Sequence, residues 1–202
     1  MYLGIVDDKV PGTVLLKKDM DGSTGLEFLD KIFYLKDGIM LSQVRDITGL
    51  DGSTLQNWVK RGWIANTVNK LYTKDNFARI LIIKMLRDAM HLADISLLLK
   101  YINGVAGLKT DDIIPESLLY DYICRITDSI LDDGQYDIEL LRRRINDCIR
   151  DEDLNPLSPG AHERLAESLE IIITARYAAL IKAHSDAMLE KLKQKYESGV
   201  LN

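Results

Sequence analysis

The sequence predicts an all-α protein with at most a small β-wing, and three observations lead to this fold class. Only 4 of the 202 residues are proline, and aromatic residues make up 7% of the chain. Apolar residues recur every three or four positions, the spacing of one helix face, in most segments between glycine-containing breaks. The content of 47% hydrophobic and 28% charged residues is that of an ordinary soluble globular protein.

The first 22 residues are predicted to form an N-terminal arm. Val10-Pro11-Gly12 interrupts this arm, and Val14-Leu15-Leu16 is its only apolar cluster. The residues leave open whether the arm is free or docked, and whether it docks on its own chain or on another subunit. Residues 23–37 follow as a predicted helix whose apolar side contains Leu26, Leu29, Ile32 and Phe33.

Residues 41–62 have the pattern of two short helices joined by a tight turn. Leu41, Val44 and Ile47 recur at helical spacing on the first helix, and Gly49 stands where the turn favours a residue without Cβ. Residues 51–53 offer N-cap candidates for the second helix, and Gly62 ends it. The second helix is predicted to bury Leu55, Trp58 and Val59.

The opposite face of the second helix is polar and cationic. Asparagine and glutamine side chains pair with adenine, and lysine and arginine bind guanine or phosphate. The pattern therefore suits a helix that enters a DNA major groove, and the alternative is a solvated helix face without a ligand. The residues of this face are Ser53, Thr54, Gln56, Asn57, Lys60 and Arg61.

A short loop with Lys70 and Tyr72 follows as a predicted wing, and residues 41–99 together resemble the winged helix-turn-helix of MerR-like regulators. The family's motif elements occur in order as Leu41, Val44, Thr48-Gly49-Leu50, Thr54-Leu55, Trp58, Gly62-Trp63-Ile64 and the wing sequence of residues 69–80. The resemblance implies a winged helix-turn-helix domain over residues 23–103 that binds double-stranded DNA. It implies that Ser53, Thr54, Gln56, Asn57 and Lys60 face the groove and that Arg61, Lys70 and Tyr72 hold phosphates.

The chain departs from the family's pattern at several of these positions. MerR-like regulators often have arginine where Gln56 stands, an aromatic residue where Asn57 stands and arginine where Lys70 stands. No sequence preference for DNA is therefore carried over. The whole chain is also similar to an uncharacterised bacterial family known as a domain of unknown function, which implies no chemistry.

The charge is unevenly distributed along the chain. The net charge is −5, but residues 36–100 have a net charge of +4 and the remainder has −9. An acidic body that carries a basic module can bind DNA through that module. We therefore expect weak, strongly salt-dependent binding by one copy of the chain.

Residues 108–202 are predicted to form a helical dimerisation domain, separated from the first domain by a hinge at residues 103–107. Its last helix runs from about Ala161 to about Tyr196 and is roughly 50–55 Å long. MerR-like regulators dimerise through a long helix, so we expect a homodimer through this one. An intrachain helical bundle is the alternative, and an unknown small-molecule effector is left open.

The sequence contains no pattern of an active site, a cofactor site or a metal site. The three histidines and two cysteines have no metal-ligand spacing, and no phosphate-binding glycine loop or nucleophile motif occurs. No apolar run approaches the roughly 20 residues of a membrane span. We expect no enzyme, no cofactor, no metal and no membrane contact, and the two cysteines, Cys124 and Cys148, indicate a reduced cytoplasmic compartment.

These observations predict a bacterial DNA-binding transcriptional regulator that acts as a dimer. Winged helices also serve as protein-interaction modules without DNA binding, and the acidic body favours this alternative. A sensor of a small apolar ligand is a third hypothesis, although the aromatic and apolar residues of the C-terminal half are better explained as core.

Overall fold

The computed structural model describes residues 7–108, 110, 112–134, 136–156 and 158–198, and the all-α prediction is confirmed. The described part is mostly helical, with one two-stranded antiparallel sheet, and it ends in a long helix. A 3₁₀ turn at Lys17–Met20 precedes α1 (Gly25–Phe33), β1 (Ile39–Met40), α2 (Leu41–Thr48), α3 (Gly52–Lys60), β2 (Leu71–Tyr72), α4 (Lys74–Leu86), α5 (Leu92–Asn103), α6 (Glu116–Asp133), α7 (Ile138–Ile149) and α8 (Ala161–Glu197).

Helices α4 and α6 form the centre of the molecule. Every residue of α4 from Phe77 to Ile83 is buried, as are most residues of α6. Helix α6 packs against α1, α4, α7 and α8, so it is covered on several sides. Each fully buried aliphatic or aromatic side chain in such a core contributes about 1.5–3 kcal/mol of hydrophobic stabilisation.

The hinge predicted at residues 103–107 is not a gap between two cores. Asn103 is only 1% exposed, and its side-chain amide donates to Ile114 O at 2.8 Å and accepts from Ile113 N at 3.0 Å. The side chain thereby joins the end of α5 to the segment just before α6. One hydrophobic core extends from the arm through α8 and includes residues from both predicted domains.

A buried ion pair crosses the same boundary. Arg79 on α4 pairs with Glu116 on α6, and both side chains are less than a tenth exposed. Burial raises the pKa of Glu116, and the neighbouring Arg79 guanidinium opposes this rise. Arg79 also donates to Trp63 O at 2.6 Å, so the chain leaving α3 is attached to the centre of the molecule.

Helix α8 has two halves with different surroundings. It contains 37 residues, which corresponds to about 55 Å. Its first half buries a stripe from Leu165 to Leu180 against the rest of the chain. All residues from 181 to 198 are exposed, so the second half extends beyond the core.

Candidate nucleic-acid interface

The turn between α2 and α3 is built as its sequence predicts. Gly49 has φ of 69°, and its amide donates to Arg45 O at 2.7 Å, which ends α2. Leu50 is buried beneath the turn. The carboxylate of Asp51 accepts from Thr54 N at 2.7 Å and caps the start of α3.

Two further groups hold the C-terminal end of α2. The last carbonyls of a helix have no partner within the helix. Here Val14 N donates to Ile47 O at 2.9 Å, and the Lys84 ammonium donates to Thr48 O. The helix before the turn is therefore fixed by the N-terminal arm and by α4.

Helix α3 packs against the core with one face and exposes the opposite face to solvent. Leu55 and Trp58 are at most 2% exposed and anchor it. Of the six polar residues predicted for the outer face, five are exposed and Thr54 is partly exposed. The structure shows an apolar and a polar face on α3, as predicted, although Val59, which was also predicted to be buried, is only partly buried.

Four of the predicted contact residues have side chains that bind within their own segment. The hydroxyls of Ser53 and Thr54 donate to Asp51. The hydrogen bond from Ser53 is the largest of the effects that hold the pKa of Asp51 well below its usual value. Arg61 donates to Asn57 Oδ1 at 3.2 Å and lies over the ring of Trp63 at 5.1 Å.

The side chains of Gln56 and Lys60 make no such contacts within their own segment. Neither side chain has a hydrogen bond or ion pair within the described part of the chain. They are four residues apart on one helix face. Their amide and ammonium groups are therefore available for an external acceptor or donor.

The predicted wing is a tight hairpin between α3 and α4. Val68 and Leu71 exchange two backbone hydrogen bonds of 3.0 and 2.8 Å across a two-residue turn. Asn69 and Lys70 form the turn with φ of 51° and 63°, the pattern of a type I′ turn. β2 continues into the sheet through the pairs Ile39↔Tyr72 and Met40↔Leu71. Lys70 is exposed at the tip and has no side-chain partner in the described residues.

The structure places Tyr72, which was predicted to hold a phosphate, in the core and not on the exposed surface of the wing. Tyr72 is only 4% exposed, and burial raises its pKa. Lys70 and Tyr72 would share a face if the strand were regular, because side chains alternate along a strand. The positive φ of Lys70 removes it from that alternation, so Lys70 points to solvent at the turn while Tyr72 belongs to the core.

The sequence pattern missed one cation beside α3. Arg45 is exposed on α2, and its Cδ lies 3.9 Å from where a Cβ on Gly52 would stand, at the first turn of α3. The side chain of Arg45 has no hydrogen bond or ion pair within the described ranges. Its exposed position on α2 was available from the helical periodicity, but its proximity to α3 depends on the turn geometry.

A metal site, a reactive cysteine and a membrane-spanning helix are the other functional features to be considered in the described part of the chain. No group of three or more His, Cys, Asp or Glu side chains is placed to hold a metal ion there. Cys124 is buried, and burial raises the pKa of its thiol to about 12. Burial also raises the pKa of Cys148. No described helix has the length and apolar content to cross a membrane.

The helix pair, the wing and the helices beneath them thus form one compact unit around α4 and α6. Residues 27–123 match a family described as "Domain of unknown function (DUF1836)". No curated protein and no solved structure matches the chain. The match begins within α1 and ends within α6, so the similarity predicted for the whole chain is supported for these 97 residues. It includes α2, α3 and the wing, and it does not include the arm, α7 or α8.

Proposed function

We propose that the protein is a bacterial DNA-binding transcriptional regulator that inserts α3 into the major groove, as the resemblance of residues 41–99 to MerR-like regulators implies. The exposed face of α3 is the observation that carries this proposal. Leu55 and Trp58 hold the helix on the core, and Gln56 and Lys60 extend from the other face without a partner in the described chain. Lys70 at the wing tip supplies a second cation for a phosphate.

The charges around α3 support binding through this face. Arg45, Lys60, Arg61 and Lys70 are all exposed cations, within the segment of the chain that has a net charge of +4. The ionised Asp51 stabilises the start of α3 through the helix dipole but repels phosphate. We therefore propose that one copy binds weakly and that its affinity falls steeply with salt.

A homodimer would supply the missing affinity. The exposed half of α8 carries the large apolar residues Ile181, Met188, Leu189, Leu192 and Tyr196, which are 40–77% exposed. Their positions lie within about 100° of one helix face. We propose that two copies pair along this stripe, so that the second DNA contact becomes intramolecular. The two free cysteines agree with a reduced cytoplasmic compartment, and an effector remains an open part of the proposal.

The alternative is a protein-interaction module that uses the same fold without DNA binding. Two features of the chain favour it. The net charge is −5, and Tyr34 and Leu35 in the loop before β1 are 73% and 89% exposed. A protein partner would cover such apolar side chains.

Titration of a labelled random-sequence duplex at low salt tests the proposal. We expect Lys60→Ala/Lys70→Ala to lose on the order of tenfold in affinity and to lower the salt slope by about two phosphate contacts. Lys36→Ala/Lys100→Ala removes the same charge from the same basic segment outside α3 and the wing, and we expect a much smaller loss.

Two results would contradict the proposal. One is a wild-type chain that does not bind duplex DNA at any salt concentration and copurifies with a protein partner, which selects the alternative. The other is equal losses in the two double variants, which removes α3 and the wing as the binding surface. For a chain that binds, selection from random duplexes is expected to recover a two-fold symmetric site.

A further inference from the structure

The N-terminal arm folds into a small hairpin within the described chain. Lys9 and Leu16 form an antiparallel bridge, and Val10 N donates to Leu15 O at 3.0 Å. Pro11 and Gly12 occupy the centre of a turn that Thr13 N closes onto Val10 O at 3.0 Å. Gly12 has φ of 77°, as a type II turn requires at its third position.

The tip of this hairpin is seated on α4 and α6. Val10 is fully buried, and the fully buried Tyr120 on α6 donates its hydroxyl to Pro11 O at 2.7 Å. A Cβ added to Gly12 would lie 2.5 Å from Leu81 O on α4. The backbone of the turn therefore touches the backbone of the central helix, and no side chain fits between them.

The outgoing strand of the hairpin reaches the helix pair. Val14 N donates to Ile47 O in the last turn of α2, and Val14 Cγ1 lies 2.8 Å from where a Cβ on Gly49 would stand. Gly49 begins the three-residue turn that leads to α3. The arm thus supplies a donor that the end of α2 lacks and covers the turn that sets the direction of α3.

The ingoing strand is attached to α8. Asp7 pairs with Arg176, and both side chains are at most 10% exposed. A buried charge that loses its partner is strongly unfavourable, so this pair resists separation. On the far side of the hairpin, Lys17 pairs with Asp128 of α6 at 2.8 Å. The arm is therefore a direct connection between α8 and the turn before α3.

We infer that residues 7–16 are a positioning segment of the DNA-binding unit, which holds the α2–α3 turn in the orientation that binds DNA and links that orientation to α8. This inference rests on the proposed function for its effect on DNA, but the positioning itself does not depend on DNA. When the hairpin is released, the end of α2 loses one of its donors and the turn loses its cover. The helix pair then samples more orientations, and only a fraction of the molecules are competent to bind.

Substitution of two glycines provides a matched test. Gly12→Ala places a Cβ against Leu81 O and also occupies a positive φ. Gly22→Ala occupies the same φ of 77°, but a Cβ there meets nothing within 4 Å. The strain of the backbone is common to both variants, so the difference between them reports the unseating of the hairpin. Asp7→Asn is a milder second variant that removes the charge from the pair with Arg176.

Hydrogen exchange and duplex titration are measured on all three variants in the full-length chain. In Gly12→Ala and Asp7→Asn we expect faster exchange of the Val14 and Gly49 amides, with unchanged helix content by circular dichroism. We expect about five- to tenfold weaker duplex binding, whereas Gly22→Ala behaves as the wild type in both measurements.

The outcomes separate this inference from the proposed function. Faster exchange at Val14 without faster exchange at Gly49 and in α3 would overturn it, as would weakened binding of equal size in Gly12→Ala and Gly22→Ala. If the wild type binds no duplex, the proposed function fails, and the exchange of the Gly49 and α3 amides still decides whether the arm positions the helix pair.

Discussion

Lys84 is a cation within the mostly buried helix α4. Its ammonium donates to Thr48 O and occupies the C-terminal end of α2, where a positive charge is favourable. Burial, and after it the nearby cations of Arg87 and Lys9, lower the pKa of Lys84 to about 8. The charged form is thus less favourable in the folded chain than in water, and the bond to Thr48 O offsets part of this cost.

We expect Lys84 to make the free energy of unfolding rise with pH above about 8. Between this value and the ordinary pKa of 10.5, the unfolded chain holds a proton that the folded chain has released, so raising the pH favours folding. The contribution is complete above the ordinary pKa and is lost as the pH falls through the folded value. Lys84 is partly exposed, so solvent screens part of this effect, and between about pH 7.5 and 9 we expect a gain of well under about 1 kcal/mol. Urea unfolding measures it as the difference between the wild type and Lys84→Met.

The comparison with Lys84→Met is needed because other groups, whose pKa is raised in the folded chain, make the free energy of unfolding fall as the pH rises. Burial raises the pKa of Cys124 to about 12 and also raises that of Tyr72. The wild type and Lys84→Met share these effects, which therefore cancel in the difference. Lys100→Met, which changes an exposed lysine of α5, is the control. Its free energy of unfolding should change with pH as that of the wild type does. A constant difference between the wild type and Lys84→Met across this range would contradict the interpretation.

The conformation of the wing and its proposed role favour different residues at position 70. A two-residue turn with positive φ at both positions is most stable with the sequence Asn-Gly. The chain has Asn69-Lys70 instead, and Lys70 adopts φ of 63° despite its side chain. Lysine at this position is explained if its charge, rather than the stability of the turn, is what the wing requires.

We expect Lys70→Gly to change stability and DNA binding in opposite directions. Glycine relieves the positive φ and is expected to raise the free energy of unfolding by about 1 kcal/mol. Removal of the charge is expected to weaken duplex binding and to lower its salt slope by about one contact. Urea unfolding and duplex titration at several salt concentrations measure the two effects on the same sample.

The control for the wing is Lys70→Ala, which removes the charge but keeps a side chain at positive φ. It should weaken duplex binding as much as Lys70→Gly without the gain in stability. If both variants bind DNA as the wild type does, the wing does not contact phosphate.

The elements show which parts of the site could be predicted from sequence. Helical periodicity and the turn residues Gly49 and Asp51 predicted α2, α3 and the two faces of α3, because these depend on neighbours three or four residues away. The burial of Tyr72 was not predictable in this way, since it depends on the conformation of the turn at Lys70. The packing of the arm on the core depends on Tyr120, which lies more than 100 residues away in sequence. No local sequence pattern could therefore predict this packing.

At the scale of the whole molecule, the single hydrophobic core that joins the two predicted domains was the least predictable feature. Glycines at 104 and 107 suggested a hinge, but Asn103 and the Arg79–Glu116 pair attach its two sides to each other. The burial of these polar side chains depends on partners that only the fold brings together. The predicted long helix is confirmed, and its first half packs within the chain while its second half does not.

We expect the chain to be a dimer that the exposed half of α8 holds together. Met188→Glu/Leu192→Glu places two carboxylates in the apolar stripe, where pairing of two copies would bury them, and is expected to weaken the dimer on the order of a hundredfold. Ala183→Glu adds a carboxylate to the opposite face of the same helix and should leave the dimer intact. Sedimentation equilibrium measures the mass and the dissociation constant of each chain.

The same variants connect the dimer to DNA binding. The double variant should keep the helix content of the wild type, because residues 181–198 are all exposed in the described chain. Its duplex affinity should fall, since two linked contacts become one. A wild type that sediments with the mass of a single chain at high concentration, or a double variant that remains a dimer, would show that this stripe does not join two copies.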